Sequence, residues 1–221
     1  MYFVFMLLGR KILLGSEEKP LMVLERYGLD SFDFNLDSAK AELSDFICDS
    51  GESFSWGYFP GMEEDEKEKY PECIKLGKQV KDLLFDSDWE LAFVKFASKK
   101  PVSPFGGFHV DVDVGVGVKR TDEREIIRAI VNLHNHPRIF LYSFADRDQL
   151  RKAGLKIPLN KYKRIYLPKR FVRKVEIPPM QKDGIYVLKF WSSIIPHFGF
   201  TDEGGFFLAG FGRYADESDS L

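Results

Sequence analysis

Cysteine is scarce in this 221-residue chain, which contains only Cys48 and Cys73. Both lie in segments with a helical pattern, so we expect no disulfide framework but two buried free thiols. Neither cysteine has a partner at the spacing that a thiolate metal site requires. The natural compartment for such a chain is a reducing cytosol, and we expect a cytoplasmic protein.

Long apolar runs are lacking as well. The N-terminal run MYFVFMLL has eight residues, which is too short to span a bilayer, and it lacks the positive leader of a secretory signal. We interpret Tyr2 to Leu14 as a buried strand, or a strand pair that turns near Gly9. A cleaved or anchoring segment is the alternative interpretation. No membrane partner is expected.

The chain also lacks a large excess of charge of one sign. The 32 basic and 34 acidic residues give a net charge of −2, which is not the electrostatic footprint of a general nucleic-acid binder. Basic residues do concentrate between Lys152 and Arg173, interleaved with Tyr162 and Tyr166. They form either a surface for RNA or an acidic substrate, or edge-strand charges that prevent aggregation. We favour the protective role.

Several catalytic and binding motifs are absent. There is no Gly-x-Ser-x-Gly nucleophile elbow, and the segment GVGV is not followed by the lysine of a phosphate-binding loop. A calcium loop that starts at Asp111 would need glutamate at its twelfth position, where Asp122 stands.

Aromatic residues, by contrast, are plentiful: 21 Phe, 9 Tyr and 3 Trp favour sheets around a wide core. The first 87 residues nevertheless have a helical texture. We expect helices over residues 20–29, 36–48 and 71–83, and a loop over residues 51–62. Gly77 lies within the third helix, where glycine costs about 1 kcal/mol relative to alanine.

After Asp86 the apolar period changes to that of strands. The expected strands cover residues 89–97, 108–118, 126–134, 138–144, 164–167, 171–177, 184–191, 192–200 and 205–214, with a short helix over 147–155. Such a series predicts an antiparallel sandwich or barrel. We divide the chain into an N-terminal strand and helical part (1–87), a barrel (88–214) and a tail (215–221), packed as one structural domain.

The most informative stretch is PFGGFHVDVDVGVGV, residues 104–118. Apolar residues alternate with His109, Asp111 and Asp113, so a strand places these three side chains on one face. Gly106 and Gly107 precede it and leave room for a close backbone approach. A histidine and a carboxylate side by side, joined by a histidine from a later strand, provide a two-histidine, one-carboxylate metal site with about three open positions.

A family resemblance rests on these residues. His109-Val110-Asp111, followed 86 residues after the aspartate by His197 in SIIPHFGF and then by GGFFLAGFGRY, resembles the HxD…H pattern of iron(II)/2-oxoglutarate-dependent oxygenases. The resemblance covers roughly residues 88–214. It implies a mainly β fold with N-terminal helices, the double-stranded β-helix (a jelly roll or cupin-like barrel), with HxD near the second core strand and the distal histidine near the seventh.

The resemblance also implies a site. His109, Asp111 and His197 would be the Fe(II) ligands, with 2-oxoglutarate as co-substrate and a basic residue that pairs with its far carboxylate. That basic residue usually lies about ten positions after the distal histidine, where this chain has Phe207. Arg213, sixteen positions on, or Arg128 or Arg138 on the strands after HxD, are the candidates that remain.

We therefore expect a 2-oxoglutarate-dependent dioxygenase that hydroxylates a small molecule or a side chain. Two alternatives stay open: a cupin-like metal or small-molecule binding module without oxygenase activity, and a metal-free structural or interaction β-sandwich. In the last case His109 and His197 are half-buried histidines that bond to neighbouring strands. His134 and His136 are expected at a strand end or turn, with one of them as a possible pocket residue, and Asp113 either holds a ligand histidine or reaches solvent.

Overall fold

The computed structural model describes residues 5–7, 10–15, 20–28, 30, 36–49, 55–58, 63, 69–85, 89–99, 107–111, 125–133, 135–157, 165–181, 183–200 and 204–213. In chain order the elements are β1 (Phe5–Leu7), β2 (Arg10–Gly15), β3 (Pro20–Gly28), α1 (Leu36–Asp49), β4 (Ser55–Tyr58), α2 (Pro71–Leu84), β5 (Glu90–Lys99), β6 (Glu125–Val131), β7 (Arg138–Ser143), α3 (Arg147–Lys152), β8 (Val172–Ile177), β9 (Gly184–Trp191), β10 (His197–Phe200) and β11 (Gly204–Arg213). A 3-10 turn, Lys169–Phe171, precedes β8.

The strands form two antiparallel sheets, so the prediction of a mainly β antiparallel protein is confirmed. The large sheet has the order β1-β2-β3-β9-β6-β11-β5-β4, and the small sheet has the order β10-β7-β8. A short segment lengthens the small sheet beyond β10, because Phe108 bridges to Ile165 and His109 bridges to His197. The predicted N-terminal strand pair is present as β1 and β2, with Leu7 opposite Arg10.

The two sheets face each other across an apolar core. Alternate residues of β9 and β6 in the large sheet, including Phe190 and Ile130, pack with Phe140, Tyr142 and Val175 of the small sheet. Because strand side chains alternate between faces, each strand contributes every second residue to this core. Hydrophobic burial between the sheets is therefore what holds them together.

The outer face of the large sheet is covered by α1 and α2. Leu76 and Val80 of α2 pack with Ala129 and Val187 of the sheet. Gly77 lies at the closest approach, since a Cβ at this position would overlap the Cγ2 atom of Val94 in β5. The glycine that weakens the helical pattern is therefore required by the contact between helix and sheet.

A carboxylate from α1 caps the start of α2. The side chain of Tyr70, at the N-cap position, makes no capping bond, but Glu42 accepts hydrogen bonds from the backbone N–H groups of Glu72 (3.0 Å) and Cys73 (2.8 Å). Negative charge at a helix N-terminus is favourable. Cys73 is a free, buried thiol that donates to the Ala39 carbonyl at 3.3 Å. Its pKa is raised, mainly by burial and to a smaller extent by the nearby charge of Glu42.

Part of the N-terminal prediction is wrong. Residues 20–29, predicted as a helix, contain β3, which pairs with β9 so that Met22 lies opposite Phe190. Met22, Val23 and Leu24 are consecutive and all buried, as in a strand covered on both faces. Over such a short run the apolar pattern does not distinguish a strand from a helix.

Three further boundaries differ from the prediction. The expected loop over 51–62 contains β4, which pairs with β5. The expected strand over 192–200 begins only at His197, after a turn, and the expected strand over 164–167 is reduced to the bridge at Ile165. Within the part of the chain that is described, no helix has the length and apolar content needed to cross a membrane.

The Gly77 contact gives a stability prediction. Gly77→Ala should lower the free energy of unfolding by about 1–3 kcal/mol because the added methyl group overpacks against Val94. In a Val94→Ala background the same change should be neutral or stabilising, since the higher helix propensity of alanine then acts alone. Urea denaturation of the four proteins checks the prediction, and stabilisation by Gly77→Ala alone would contradict it.

Candidate metal centre

Backbone hydrogen bonds align the HxD segment with β10. The His109 N–H donates to the His197 carbonyl, and the His197 N–H donates to the His109 carbonyl, both at 2.9 Å. Asp111 continues the alignment by donating its N–H to the Ser192 carbonyl at 2.9 Å. Gly107 lies against the Phe198 ring, which a Cβ would overlap, so the close approach predicted for the glycine pair is present at Gly107.

This alignment brings the three predicted ligand residues together. The imidazole centroids of His109 and His197 are 4.4 Å apart. Each Nε2 atom lies 3.8 Å from a carboxylate oxygen of Asp111: Oδ1 for His109 and Oδ2 for His197. One ligand atom from each residue lies within 4.8 Å of the others. Metal bonds of about 2.1 Å hold neighbouring donors roughly 3 Å apart, so small side-chain rotations would close this set around one ion.

The cluster is closed on one side and partly open on the other. His197 is only 6% exposed, with its ring 4.9 Å from the ring of Phe190 and 6.1 Å from that of Phe140, measured between centroids. The side chains of His109 and Asp111 keep 23% and 15% exposure. An incoming molecule would therefore reach the cluster from the side of His109.

The histidine hydrogen bonds favour metal-binding tautomers. Nδ1 of His197 lies 3.0 Å from the Ile195 carbonyl, and Nδ1 of His109 lies 3.4 Å from the Gly107 carbonyl. A carbonyl only accepts, so these contacts favour the tautomer that carries its proton on Nδ1. In that tautomer Nε2 is the donor atom for a metal, and it is the Nε2 atoms that face Asp111.

An arginine from the opposite sheet holds the carboxylate. Nε of Arg128, in β6, donates to Oδ2 of Asp111 at 2.8 Å, and the two side chains are 7% and 15% exposed. Burial would raise the pKa of Asp111, but the Arg128 guanidinium, assisted by His197, His109 and a hydrogen bond with Ser192, outweighs burial and lowers it well below its usual range. Asp111 is therefore an ionised carboxylate at neutral pH.

The other predicted site residues have different places. Arg138 begins β7, is only 1% exposed, and has the same alternation as Phe140 and Tyr142, which face the core between the sheets. Arg213 ends β11 opposite Glu125, and its side chain lies outside the described part of the chain. The same holds for Phe207, whose backbone pairs with Val131.

Two of the remaining candidates are outside the described residues, namely His134 and Asp113. His136 is exposed at the turn between β6 and β7, where its carbonyl accepts a hydrogen bond from the Asn132 side chain. The predicted place of His136 at a turn is therefore confirmed.

Tyr142 is not among the residues that the sequence predicts for the site. This buried residue lies opposite His197 in the register of β7 and β10, and Arg173 of β8 lies opposite Tyr142 in turn. Alternation within β7 predicts that Tyr142 and Phe140 lie on the same face of the strand. Its position beside His197 depends on the pairing register, for which the sequence carries no signal.

No protein-family model and no curated protein matches the sequence. Among solved structures, the chain is similar to a Kdo hydroxylase, described as a non-haem Fe(II) α-ketoglutarate-dependent dioxygenase, in complex with cobalt(II). The identity is 11%, the TM-score is 0.49, and the match covers 86% of this chain and 79% of that one.

Two prolyl hydroxylases are also similar. The prolyl-4-hydroxylase of Pseudomonas putida has 13% identity, a TM-score of 0.39 and coverage of 87% of this chain and 93% of its own. The viral collagen prolyl hydroxylase of Paramecium bursaria Chlorella virus-1 has 14% identity, a TM-score of 0.35 and coverage of 87% and 96%. At these identities the activity has to be argued from the residues of this chain.

The pair of Arg128 and Asp111 gives a second prediction. Arg128→Met should lower the free energy of unfolding of the metal-free protein by about 3–5 kcal/mol at neutral pH, because a buried carboxylate loses its counter-charge. The double variant Asp111→Asn/Arg128→Met should recover most of the loss, since it buries no unpaired charge.

The pH dependence has a definite sign. The folded-state pKa of Asp111 is lowered, so its contribution to stability is present above the unfolded-state pKa of about 3.9 and is lost as the pH falls. The stability difference between the wild type and Arg128→Met should therefore shrink on acidification below about pH 4. Urea denaturation between neutral and acidic pH measures this difference, and a gap that is independent of pH would argue against the assignment.

Proposed function

We propose that this protein is a non-haem iron, 2-oxoglutarate-dependent oxygenase that hydroxylates a small molecule or a side chain. The observation that carries the proposal is the convergence of His109, Asp111 and His197 on one point. Two imidazole Nε2 donors and one ionised carboxylate form a facial donor set that leaves about three positions open. These donors fit Fe(II), and the same set also accepts manganese, cobalt or nickel.

The order of the strands supports the proposal. From β5 onward, β5, β6, β9 and β11 lie in the large sheet, while the 107–111 segment, β7, β8 and β10 belong to the small sheet. Two facing four-stranded sets connected in this way have the order of a double-stranded β-helix. When β5 is counted as the first strand, HxD lies on the second and His197 on the seventh, as the sequence resemblance implies.

Among the three basic candidates, we propose Arg138 as the residue that pairs with the far carboxylate of 2-oxoglutarate. It lies four residues from Tyr142, or about 13 Å along the strand, on the inner side of the small sheet. A five-carbon diacid and an extended arginine side chain span that separation together. Arg128 is the weaker candidate because its Nε already binds Asp111, a ligand of the same site.

Each residue has a separate task in this proposal. When bound, Fe(II) and 2-oxoglutarate supply oxygen activation, in which decarboxylation to succinate accompanies hydroxylation of a substrate C–H bond. His109 and His197 present neutral Nε2 donors, and Arg128 keeps Asp111 ionised and oriented. Phe140 and Phe190 exclude water from the closed side of His197, so that the open side of the site faces the substrate.

Metal binding is the first test. His109→Ala should weaken binding of Fe(II) or Co(II) by tenfold or more, because one of three protein ligands is lost. His136→Ala is the matched control, since His136 is an exposed histidine at a turn and should bind metal as the wild type does. Titration with Co(II) under anaerobic conditions, followed by its visible absorption, measures the affinity.

Turnover separates the proposed function from its rivals. The iron-loaded wild type should convert 2-oxoglutarate to succinate under reducing conditions, and His109→Ala should not. Metal binding without turnover across a broad substrate panel would favour a cupin-like binding module. Unchanged metal content in His109→Ala would refute the ligand assignment. A wild type that binds no metal would support the alternative of a metal-free structural β-sandwich.

A separate prediction concerns the co-substrate. Arg138→Met should raise the KM for 2-oxoglutarate about thirtyfold or more, because a buried charged partner of the far carboxylate is lost. Arg138→Lys should lose less, since it keeps the charge but not the planar fork of donors. Arg213→Met is the comparison: a larger effect there than in Arg138→Met would transfer the role to Arg213. Thermal melting of each variant controls for loss of folding.

A further inference from the structure

Four residues form one row across the inner face of the small sheet. His109 pairs with His197, His197 with Tyr142, and Tyr142 with Arg173. Residues paired in this way on neighbouring strands lie side by side on the same face. With strands about 4.8 Å apart, Arg173 is two strand spacings, or roughly 10 Å, from His197.

The alternation of β8 places Arg173 on the same side as the metal centre. Val175 and Ile177, two and four residues further on, both pack in the core between the sheets. Arg173 shares their face but is exposed, and it is the second residue of the strand. Arg138 lies four residues from Tyr142 toward the other end of β7, so Arg173 stands in the row of His197 whereas Arg138 lies about 13 Å along the strand from it.

The charge of Arg173 acts on the Tyr142 hydroxyl. Burial raises the pKa of Tyr142, and the nearby Arg173 guanidinium opposes part of that increase. Tyr142 and Arg173 are paired in the register of β7 and β8, so a phenol hydroxyl and a guanidinium, which can both donate hydrogen bonds, stand on neighbouring strands.

The Arg173 side chain is held in place before any ligand binds. Its Nη1 donates to the carbonyls of Val172 at 2.8 Å and Arg170 at 3.1 Å, and its guanidinium carbon lies 4.7 Å from the centre of the Phe144 ring. Both hydrogen bonds use Nη1, so the edge formed by Nη2 and Nε keeps its donors. In the part of the chain that is described, no carboxylate forms an ion pair with Arg173.

We propose that Arg173, with the hydroxyl of Tyr142, binds an oxyanion group of the substrate and thereby selects small organic acids or phosphate esters. The planar fork of a guanidinium matches carboxylate and phosphate oxygens, and two donors on one anion also fix its orientation. A distance of roughly 10 Å between Arg173 and His197 suits a substrate of the size of a sugar acid, with the reacting carbon near the metal centre. The substrate role of this anion site rests on the proposed function.

Anion binding is tested first on the metal-free full-length chain, so that the anion cannot bind a metal. Inorganic phosphate and acetate are titrated against the wild type, Arg173→Met and Arg173→Lys, with binding followed by NMR. We expect saturable binding that is about tenfold weaker or more in Arg173→Met and partly retained in Arg173→Lys. Arg170→Met is the matched control, since Arg170 is an exposed neighbour whose guanidinium carbon lies 5.0 Å from the centre of the Phe171 ring.

The second test uses the iron-loaded protein and 2-oxoglutarate turnover. Glucuronate or glucose 6-phosphate should stimulate turnover more than neutral glucose, and Arg173→Met should remove that preference while the KM for 2-oxoglutarate is unchanged. The stronger of the two acids identifies the anion as carboxylate or phosphate.

The outcomes separate the two proposals. Absent anion binding by the wild type, unchanged binding by Arg173→Met, or an equal loss in Arg170→Met would each overturn the anion site. If the wild type binds no metal but phosphate or acetate binding still depends on Arg173, the oxygenase proposal fails while the anion site stands.

Discussion

Two reciprocal backbone hydrogen bonds between His109 and His197 are the constraint on which the rest of the site depends. They join residues 88 positions apart in the chain, and each is 2.9 Å long. An antiparallel pair that exchanges both bonds presents its two side chains on the same face, about 5.5 Å apart at Cα. The backbone pairing therefore places both imidazoles on one face of the sheet. Asp111, two residues further along the strand, lies on the same face.

The large sheet supplies side chains that contact Asp111 and His197. Arg128 lies in β6 between Phe190 of β9 and Gly210 of β11. Phe190 packs against His197, Arg128 binds Asp111, and Gly210 adds no side chain to the row. The row on the large sheet thus supplies an apolar wall beside His197 and a counter-charge for Asp111. Both sheets are needed for the site, so its geometry depends on the whole core between them.

The sequence predicts which side chains share a face of a strand, but it does not predict which strands pair with each other. Alternation from Phe108 is enough to place His109 and Asp111 on one side, and the strand limits of β9 follow from its flanking residues. The hydrogen bond from Arg128 to Asp111 and the position of Arg173 beside Tyr142 depend on register between strands that are distant in the chain. Register is fixed by the packing of the complete core, and single-residue patterns do not encode it.

The helical prediction for residues 20–29 is wrong for a related reason. A strand buried on both faces loses the alternation that identifies strands, so Met22, Val23 and Leu24 read equally well as one turn of a buried helix. Gly77 is the opposite case, because a residue that is unfavourable locally is retained by a contact with Val94. In both places tertiary packing decides, and local preference is secondary.

The composition of the cluster itself argues for a function over a purely structural role. Two imidazoles, a carboxylate and a guanidinium stand side by side against Phe140 and Phe190, in the largely apolar core between the sheets. Desolvation of such charges usually costs as much as their pairing gains, and apolar residues of similar volume would stabilise the core at least as well. The Nε2 atoms of both histidines face the carboxylate, while their Nδ1 atoms bind backbone carbonyls. Both Nε2 atoms therefore lie beside the same carboxylate, which is the arrangement that the proposed metal ion requires.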